Sequence, residues 1–426
     1  MSVEADRIFV HAGELVTLAD GPALGSRRGA SLREPAVLRD GAIAVRDGRV
    51  LATGTSDDLM RHIHAREIVD LHGLVVFPGF VDCHTHPVFA KTRQDEFHMR
   101  CAGADYMAIA QAGGGILNSV RALRATGEEE LCEGVVRRLD GFLEHGTTTI
   151  EGKSGYGLST EDELKSLRAL TRAAAGHVVT VRRTFLGAHE VPQEFRPDTD
   201  AYVDHLIDEM LPAAVGLCEA ADVFAEPKVF DLARSRRVLE AARAHGLRLR
   251  VHADEIQPMG GAELAVDLDA DSADHLAVVS EDGIAALGRA RTTAVLLPGT
   301  SFYLGKQKHA PARRLIEAGA AVALATDFNP GTCYTQSMPL IATLACVLLK
   351  MTPAECLMAM TINPAASLGL DGELGTLHDG KRADFVALDL PSWKGLGYVF
   401  GGNPNQLTVK DGRVVWDALS GVPRRT

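Results

Sequence analysis

Leu74-Val-Val-Phe-Pro-Gly-Phe-Val-Asp-Cys-His-Thr-His86 runs from an unbroken apolar stretch into two histidines one residue apart. The apolar part, 74–81, reads as a strand buried on both faces, the form strands take in a parallel sheet covered by helices. Side chains two apart on an extended chain point the same way, so the imidazoles of His84 and His86 can reach one ion. The expectation is a buried strand that ends in a metal site. Context matters, because 16 histidines in 426 residues supply roughly 0.6 such pairs by chance. A second pair, His62 and His64, lies in the charged stretch 61–67 with no buried run before it, and is expected on the surface.

Working outward, short apolar runs alternate with longer amphipathic segments, the pattern of repeated β-α units. Eight runs stand out: 74–81, 147–151, 178–185, 221–226, 247–252, 270–275, 293–297 and 320–327. Helix starts are legible between and after them. Thr126-x-x-Glu129 and Thr160-x-x-Glu163 have the form of capping boxes, and Thr352-Pro353-Ala354-Glu355 adds a proline at the first helical position. The fold class is therefore α/β, with one (β/α)₈ TIM barrel over residues 74–370. The ends differ. Residues 41–53 and 409–416 each place alternating strands around an Asp-Gly turn, and 383–389 supplies another strand. Neither end can bury a face alone, so residues 1–73 and 371–426 are expected to build one small β-sandwich domain together. The Arg/Gly/Ser-rich segment 24–39 reads as a loose excursion.

A net charge of −12 and a pI of 5.7 argue against a nucleic-acid partner or an anionic membrane surface, both of which need basic patches. A small-molecule substrate is the expectation. Seven cysteines, at 83, 101, 132, 218, 333, 346 and 356, form no C-x-x-C pair and read as reduced thiols of a cytoplasmic protein. The N-terminal residues lack the pattern of a signal peptide, and the longest apolar helical stretch, 338–349, is too short to span a bilayer.

Barrels of this kind carry their chemistry at the C-terminal ends of the strands. Those ends hold His84 and His86, Glu151 to Tyr156, His189, His252 to Glu255, His275, and Asp327 to Thr332. Three imidazoles, of His84, His86 and His252, and the Asp327 carboxylate can bind a borderline divalent ion and leave one position open. Such an ion makes water a nucleophile at neutral pH. Glu255 and His275 are the candidates for moving protons in a hydrolysis. The alternative for Glu255 is a partner that orients His252.

These residues resemble the amidohydrolase superfamily, and within it the imidazolonepropionase family, over essentially residues 40–415. The resemblance is carried by Gly113 to Ile116, Lys153 to Leu158, Thr184 to His189, His252 to Glu255, Ser272 to His275, Val295 to Thr300 and Ala325 to Gly331. It implies hydrolysis of the ring C–N bond of 4-imidazolone-5-propanoate, giving N-formimidoyl-L-glutamate in histidine degradation. It also implies metal ligands at His84, His86, His252 and Asp327. Catalytic roles fall on Glu255, His275 and Asp327, and substrate contacts on Arg93, Tyr156, His189, Glu255, Asn329, Gly331 and Thr332. One divalent or trivalent ion per subunit is expected, zinc first and iron second, in a homodimer. Arg93 suits the substrate carboxylate through paired hydrogen bonds. Three features depart from the family pattern: Pro87 after the second histidine, Gly152 between Glu151 and Lys153, and Pro227 in Glu226-Pro227-Lys228. Lys153 and Lys228 leave open a two-ion site bridged by a carbamylated lysine with His252 and His275. The rival activities are deamination or hydrolysis of a different cyclic amide, and the rival from another class is a non-catalytic scaffold.

Overall fold

A computed structural model describes residues 3–32, 34–104 and 113–418. Its strands are β1 (Val3–Leu15), β2 (Leu38–Arg46), β3 (Arg49–Thr55), β4 (Ile63–Asp70), β5 (Val75–Pro78), β6 (Phe80–Thr85), β7 (Thr147–Lys153), β8 (Thr180–Ala188), β9 (Ala220–Ala225), β10 (Arg248–Ala253), β11 (Ser272–His275), β12 (Thr293–Leu296), β13 (Ala321–Leu324), β14 (Phe385–Leu388), β15 (Asn405–Lys410) and β16 (Arg413–Asp417). Strands β6 to β13 form an eight-stranded sheet in sequence order, every neighbouring pair parallel, with helices between them. This is the expected (β/α)₈ barrel.

The barrel closes just beyond the regular ladders. The Asp327 N–H donates to the His84 carbonyl at 3.1 Å and the His86 N–H to the Phe328 carbonyl at 2.8 Å, while the Asp82 carboxylate accepts from both the N–H and the hydroxyl of Thr326. The first and last strands thus meet at the residues singled out for metal binding.

The remaining strands form a second sheet from both ends of the chain, in the order β16-β15-β14-β5-β1-β2-β3, with β4 also paired to β1. Strand β1 carries β4 along its first part and β5 at its end, and its antiparallel pairing with β2 shifts register between Phe9 and Ala12. Its apolar core includes Phe9, Leu15, Ile43, Val76, Phe385 and Val409. Both Asp-Gly turns hold positive φ at each central residue, 53° and 74° at Asp47-Gly48 and 49° and 68° at Asp411-Gly412. Those values are what two-residue hairpins require.

Several expectations are corrected. The run 74–81 is two strands: Val75–Pro78 pairs with β1 and β14, and the barrel begins at Phe80, so sheet membership changes at Pro78–Gly79 rather than at 73–74. Gly79 allows the crossing, because a Cβ there would lie 2.5 Å from the Thr148 hydroxyl. Thr126 caps no helix; its hydroxyl donates to the Ala122 carbonyl, and the next helix starts at Glu128 behind Gly127. The helix at 160 is capped by Ser159, while Thr352 and Glu355 form the expected capping box. The segment expected as a loose excursion is anchored at Arg27, which is buried, donates to the carbonyls of Leu18 and Pro22, and accepts Asn363 Nδ2 on its own carbonyl. Among the described residues no helix is long and apolar enough to cross a membrane.

Candidate active site

Strand pairing sets which residues share a level inside the barrel. In register, Arg250 lies beside Asp222 and Ser272, and His252 beside Phe224 and Asp274. Interior layers of such barrels are usually filled by branched apolar side chains. Here the interior is charged instead over neighbouring levels, a charged layer of Glu151, Lys153, Asp222, Arg250 and Asp274, all buried, whose upper edge, Asp274, is in register with His252. Lys153 Nζ lies 2.8 Å from Glu151 and 2.7 Å from Asp222. Arg250 donates to the Cys83 carbonyl at 3.0 Å and approaches Glu151 and Asp274 at 3.9 Å. Burial opposes charge on Lys153, but Asp222 and Glu151 outweigh it and hold the ammonium form. Lys153 therefore serves as a counter-ion, and Lys228 lies exposed. The two-ion site bridged by a lysine is not what this arrangement builds.

Above that layer sit the histidines. Ligand atoms of His84, His86 and His252 all lie within 4.8 Å of one another, and the three rings are buried. Asp327 Oδ1 is 3.6 Å from His84 Nε2 and 3.4 Å from His86 Nε2. His84 Nδ1 donates to Asp274 at 2.6 Å, which leaves Nε2 as a buried lone pair without a hydrogen bond. His252 Nδ1 lies 3.1 Å from Asp222. Two carboxylates thus orient two of the three rings from behind, the arrangement that fixes tautomers at metal sites. Three imidazoles and a carboxylate gathered around the orphaned His84 Nε2 fit a divalent ion.

Charge states follow from burial and neighbours. Burial pushes His84 well below its usual range and His275 down to about 4. Burial also lowers His252, yet Asp222 overrides it and raises the ring. Asp327 is buried, which alone would raise it, but the His86 hydrogen bond and the nearby imidazoles hold it well below the usual carboxylate range. Thr300 donates to its other oxygen. Glu255 is likewise held down against burial by His275, 3.7 Å away, and by Lys306 at 2.8 Å.

The other expected residues gather around this centre. The His189 ring stacks on His86 with centroids 5.2 Å apart, and Tyr156 lies 5.3 Å from His189 and 6.0 Å from His86. The loop carrying Tyr156 is fixed by Glu163, whose carboxylate accepts the N–H groups of Gly155, Gly157 and Leu158. Glu163, expected as half of a capping box, is the anchor of this loop. Asn329 shapes a turn by accepting the N–H groups of Gly331 and Thr332 and donating to the Asp327 carbonyl. Arg93 packs on that turn, its N–H donating to the Pro330 carbonyl, and its guanidinium pairs with Glu96 at 2.6 Å. His62 and His64 are exposed, as expected. The departures at Pro87 and Gly152 meet each other, since a Cβ on Gly152 would lie 3.2 Å from the Pro87 ring and 3.0 Å from Leu170. Pro227 is exposed beyond the end of β9. Asp222, Asp274, Thr300 and Lys306 were missed as site residues; Asp274 and Thr300 lie within the motifs quoted above, but only the fold shows what they touch.

Residues 75–415 match the model of the amidohydrolase family. The chain is 49% identical over 418 residues to the imidazolonepropionase of Symbiobacterium thermophilum, covering 97% of each sequence. The chain belongs to the amidohydrolase family, among its imidazolonepropionases. The imidazolonepropionase of Parabacteroides distasonis is 45% identical, with 97% of this chain and 99% of that protein covered. Among solved structures, an adenosine deaminase from Xanthomonas campestris with bound zinc superposes with a TM-score of 0.73 at 19% identity, over 100% of this chain and 95% of that one. Guanine deaminase from E. coli gives 0.71 at 17%, over 96% and 99%. At such identities the deaminases share the fold alone. The family is metal-dependent and its members hydrolyse carbon–nitrogen bonds, which fits the buried cluster of His84, His86 and His252.

Proposed function

We propose that this enzyme hydrolyses the ring C–N bond of 4-imidazolone-5-propanoate, yielding N-formimidoyl-L-glutamate, in the cytoplasm and as a homodimer. The observation that carries the reading is the convergence of His84, His86, His252 and Asp327 at the closing seam of the barrel, in a chain about half identical to imidazolonepropionases. Those four residues would hold one ion per subunit, and the N₃O donor set suits zinc first and iron second. When bound, such an ion acidifies a water and polarises a carbonyl.

The chain's own groups supply the rest. Asp327, kept ionised, accepts a proton from the attacking water. Water adds to the ring carbonyl carbon, and the tetrahedral oxyanion forms beside His275, whose imidazole faces the centre. Collapse breaks the C–N bond, and the proton taken up by Asp327 passes to the departing nitrogen, directly or relayed through Glu255. Arg93 takes the substrate carboxylate. Tyr156, His189 and the turn of Asn329, Gly331 and Thr332 enclose the ring and exclude water.

The test is the loss of imidazolone absorbance, with the substrate made in situ by the preceding hydratase and metallated protein. Wild type should clear the signal, and Asp327→Asn should slow it by roughly 10³-fold with an unchanged circular dichroism spectrum. A persistent signal with wild type would reject the substrate. Near-normal turnover by Asp327→Asn would reject the role given to that carboxylate.

A further inference from the structure

Two thiols lie together outside the catalytic residues. Cys346 is on the helix Met338–Leu348 and Cys356 on the helix Pro353–Ala359, and their sulfur atoms are 3.6 Å apart. The connection is only residues 349–352, and the capping box of Thr352 and Glu355 fixes where the second helix begins. The two sulfurs are therefore held in contact by short, well-anchored backbone. Their exposures differ: Cys346 is half-buried, whereas Cys356 is fully buried and also directs its thiol at the Ala342 carbonyl, 3.9 Å away.

We propose that Cys346 and Cys356 form a reversible disulfide, with hydrogen peroxide or a related peroxide as oxidant. Cys346 attacks one peroxide oxygen. The O–O bond breaks, the released hydroxide takes up the thiol proton as water, and Cys346 becomes a sulfenic acid. The Cys356 sulfur then attacks the Cys346 sulfur, the S–O bond breaks, and a second water leaves with the Cys356 proton. Two thiols have lost two electrons and the peroxide has gained them. A dithiol reductant reverses the reaction.

The assignment of attacker and resolver follows exposure, and the ionisation of the pair agrees with it. The contact between the two sulfurs lowers Cys346 and pushes Cys356 up. Burial pushes up Cys83, Cys132, Cys218 and Cys333. The thiolate is the reactive form, so a partly exposed, lowered thiol beside a second sulfur is the group peroxide should find. Cys101 is exposed.

Peptide mapping of the metallated protein after peroxide treatment and alkylation tests this. The expected product is a Cys346–Cys356 linked peptide two hydrogens lighter than the reduced pair, restored by dithiothreitol. Cys356→Ser should stop at the sulfenic acid, so that Cys346 accumulates a dimedone adduct that wild type does not. Sulfinic or sulfonic acid on Cys346 with Cys356 still alkylated would overturn the proposal. So would both thiols remaining alkylatable at peroxide doses that oxidise Cys101. The linkage is read on wild type, so the outcome does not depend on how well the variant folds.

Discussion

Arg93 shows how much one side chain is asked to do. Its guanidinium is paired with Glu96, and the same carboxylate also accepts the Gly115 N–H and the Asn118 amide. Arg93 thus arrives at the pocket already oriented, on a turn whose Gly331 has no room for a Cβ beside the guanidinium. A charge-assisted pair of hydrogen bonds to the substrate is worth about 1.5–3 kcal/mol, or roughly 10–100-fold in binding. Arg93→Ala should therefore raise KM for 4-imidazolone-5-propanoate by roughly that factor, with a smaller change in kcat. Gly331→Ala, which must push the guanidinium aside, should move KM the same way. Steady-state kinetics on the imidazolone absorbance measure both. An unchanged KM in Arg93→Ala would mean that the substrate carries no carboxylate at that position, and would favour a different cyclic amide.

At the scale of elements, the charged layer beneath the histidines is the least ordinary part of the barrel. Lys153 lies between Glu151 and Asp222, and Asp222 in turn faces His252. Replacing Lys153 by Met would leave buried carboxylates without their counter-ion, a loss of about 3–5 kcal/mol. It would also loosen a metal ligand through its orienting carboxylate, a change that typically costs 10–100-fold in metal affinity. Urea unfolding and chelator competition report the two effects separately, and a Lys153→Met protein with wild-type values in both would remove this role. The eight barrel strands were legible because strands buried on both faces read as apolar runs, and the metal cluster because polar residues at their ends stand out. The layer beneath was not, because facing residues come from strands far apart in sequence and meet only through register. Periodicity was equally blind to the exchange of sheets at Pro78–Gly79, since both sides of that junction are buried. Strand β4 escaped notice because its charged, exposed residues look like a solvated segment.

For the whole molecule, the closing seam ties stability to the site. The first and last barrel strands are joined through the His84 and Phe328 carbonyls and the Asp82–Thr326 bonds, so disturbing the histidines disturbs the closure. In the metal-free protein, burial holds His84, His86, His189 and His275 below their usual value of 6.5, His275 at about 4. The unfolded chain binds protons at these positions before the folded chain does. Wherever the unfolded state holds more protons, stability rises with pH, so the contribution of these four rings falls as pH drops from about 6.5 towards 4. His252 acts the other way, because Asp222 raises it, and so do Asp82 and Asp274, which burial pushes up to about 7 and about 6, together with Glu163, Glu190 and Glu226, also pushed up by burial. Below that window Asp327, Asp222 and Glu255, all held low, add further losses as they are protonated. In the metal-stripped protein the rings of His84, His86, His189 and His275 should therefore take up protons only below pH 6.5, read from their NMR resonances, and any decline of the urea midpoint between pH 6.5 and 4 should be shallower than four protons per molecule. Restoring the ion should shift that decline to lower pH, because ligand nitrogens bound to metal cannot take up protons until it leaves. Imidazole resonances that titrate near 6.5 in the stripped protein would show that the rings are solvated when the site is empty, and that the seam does not depend on them.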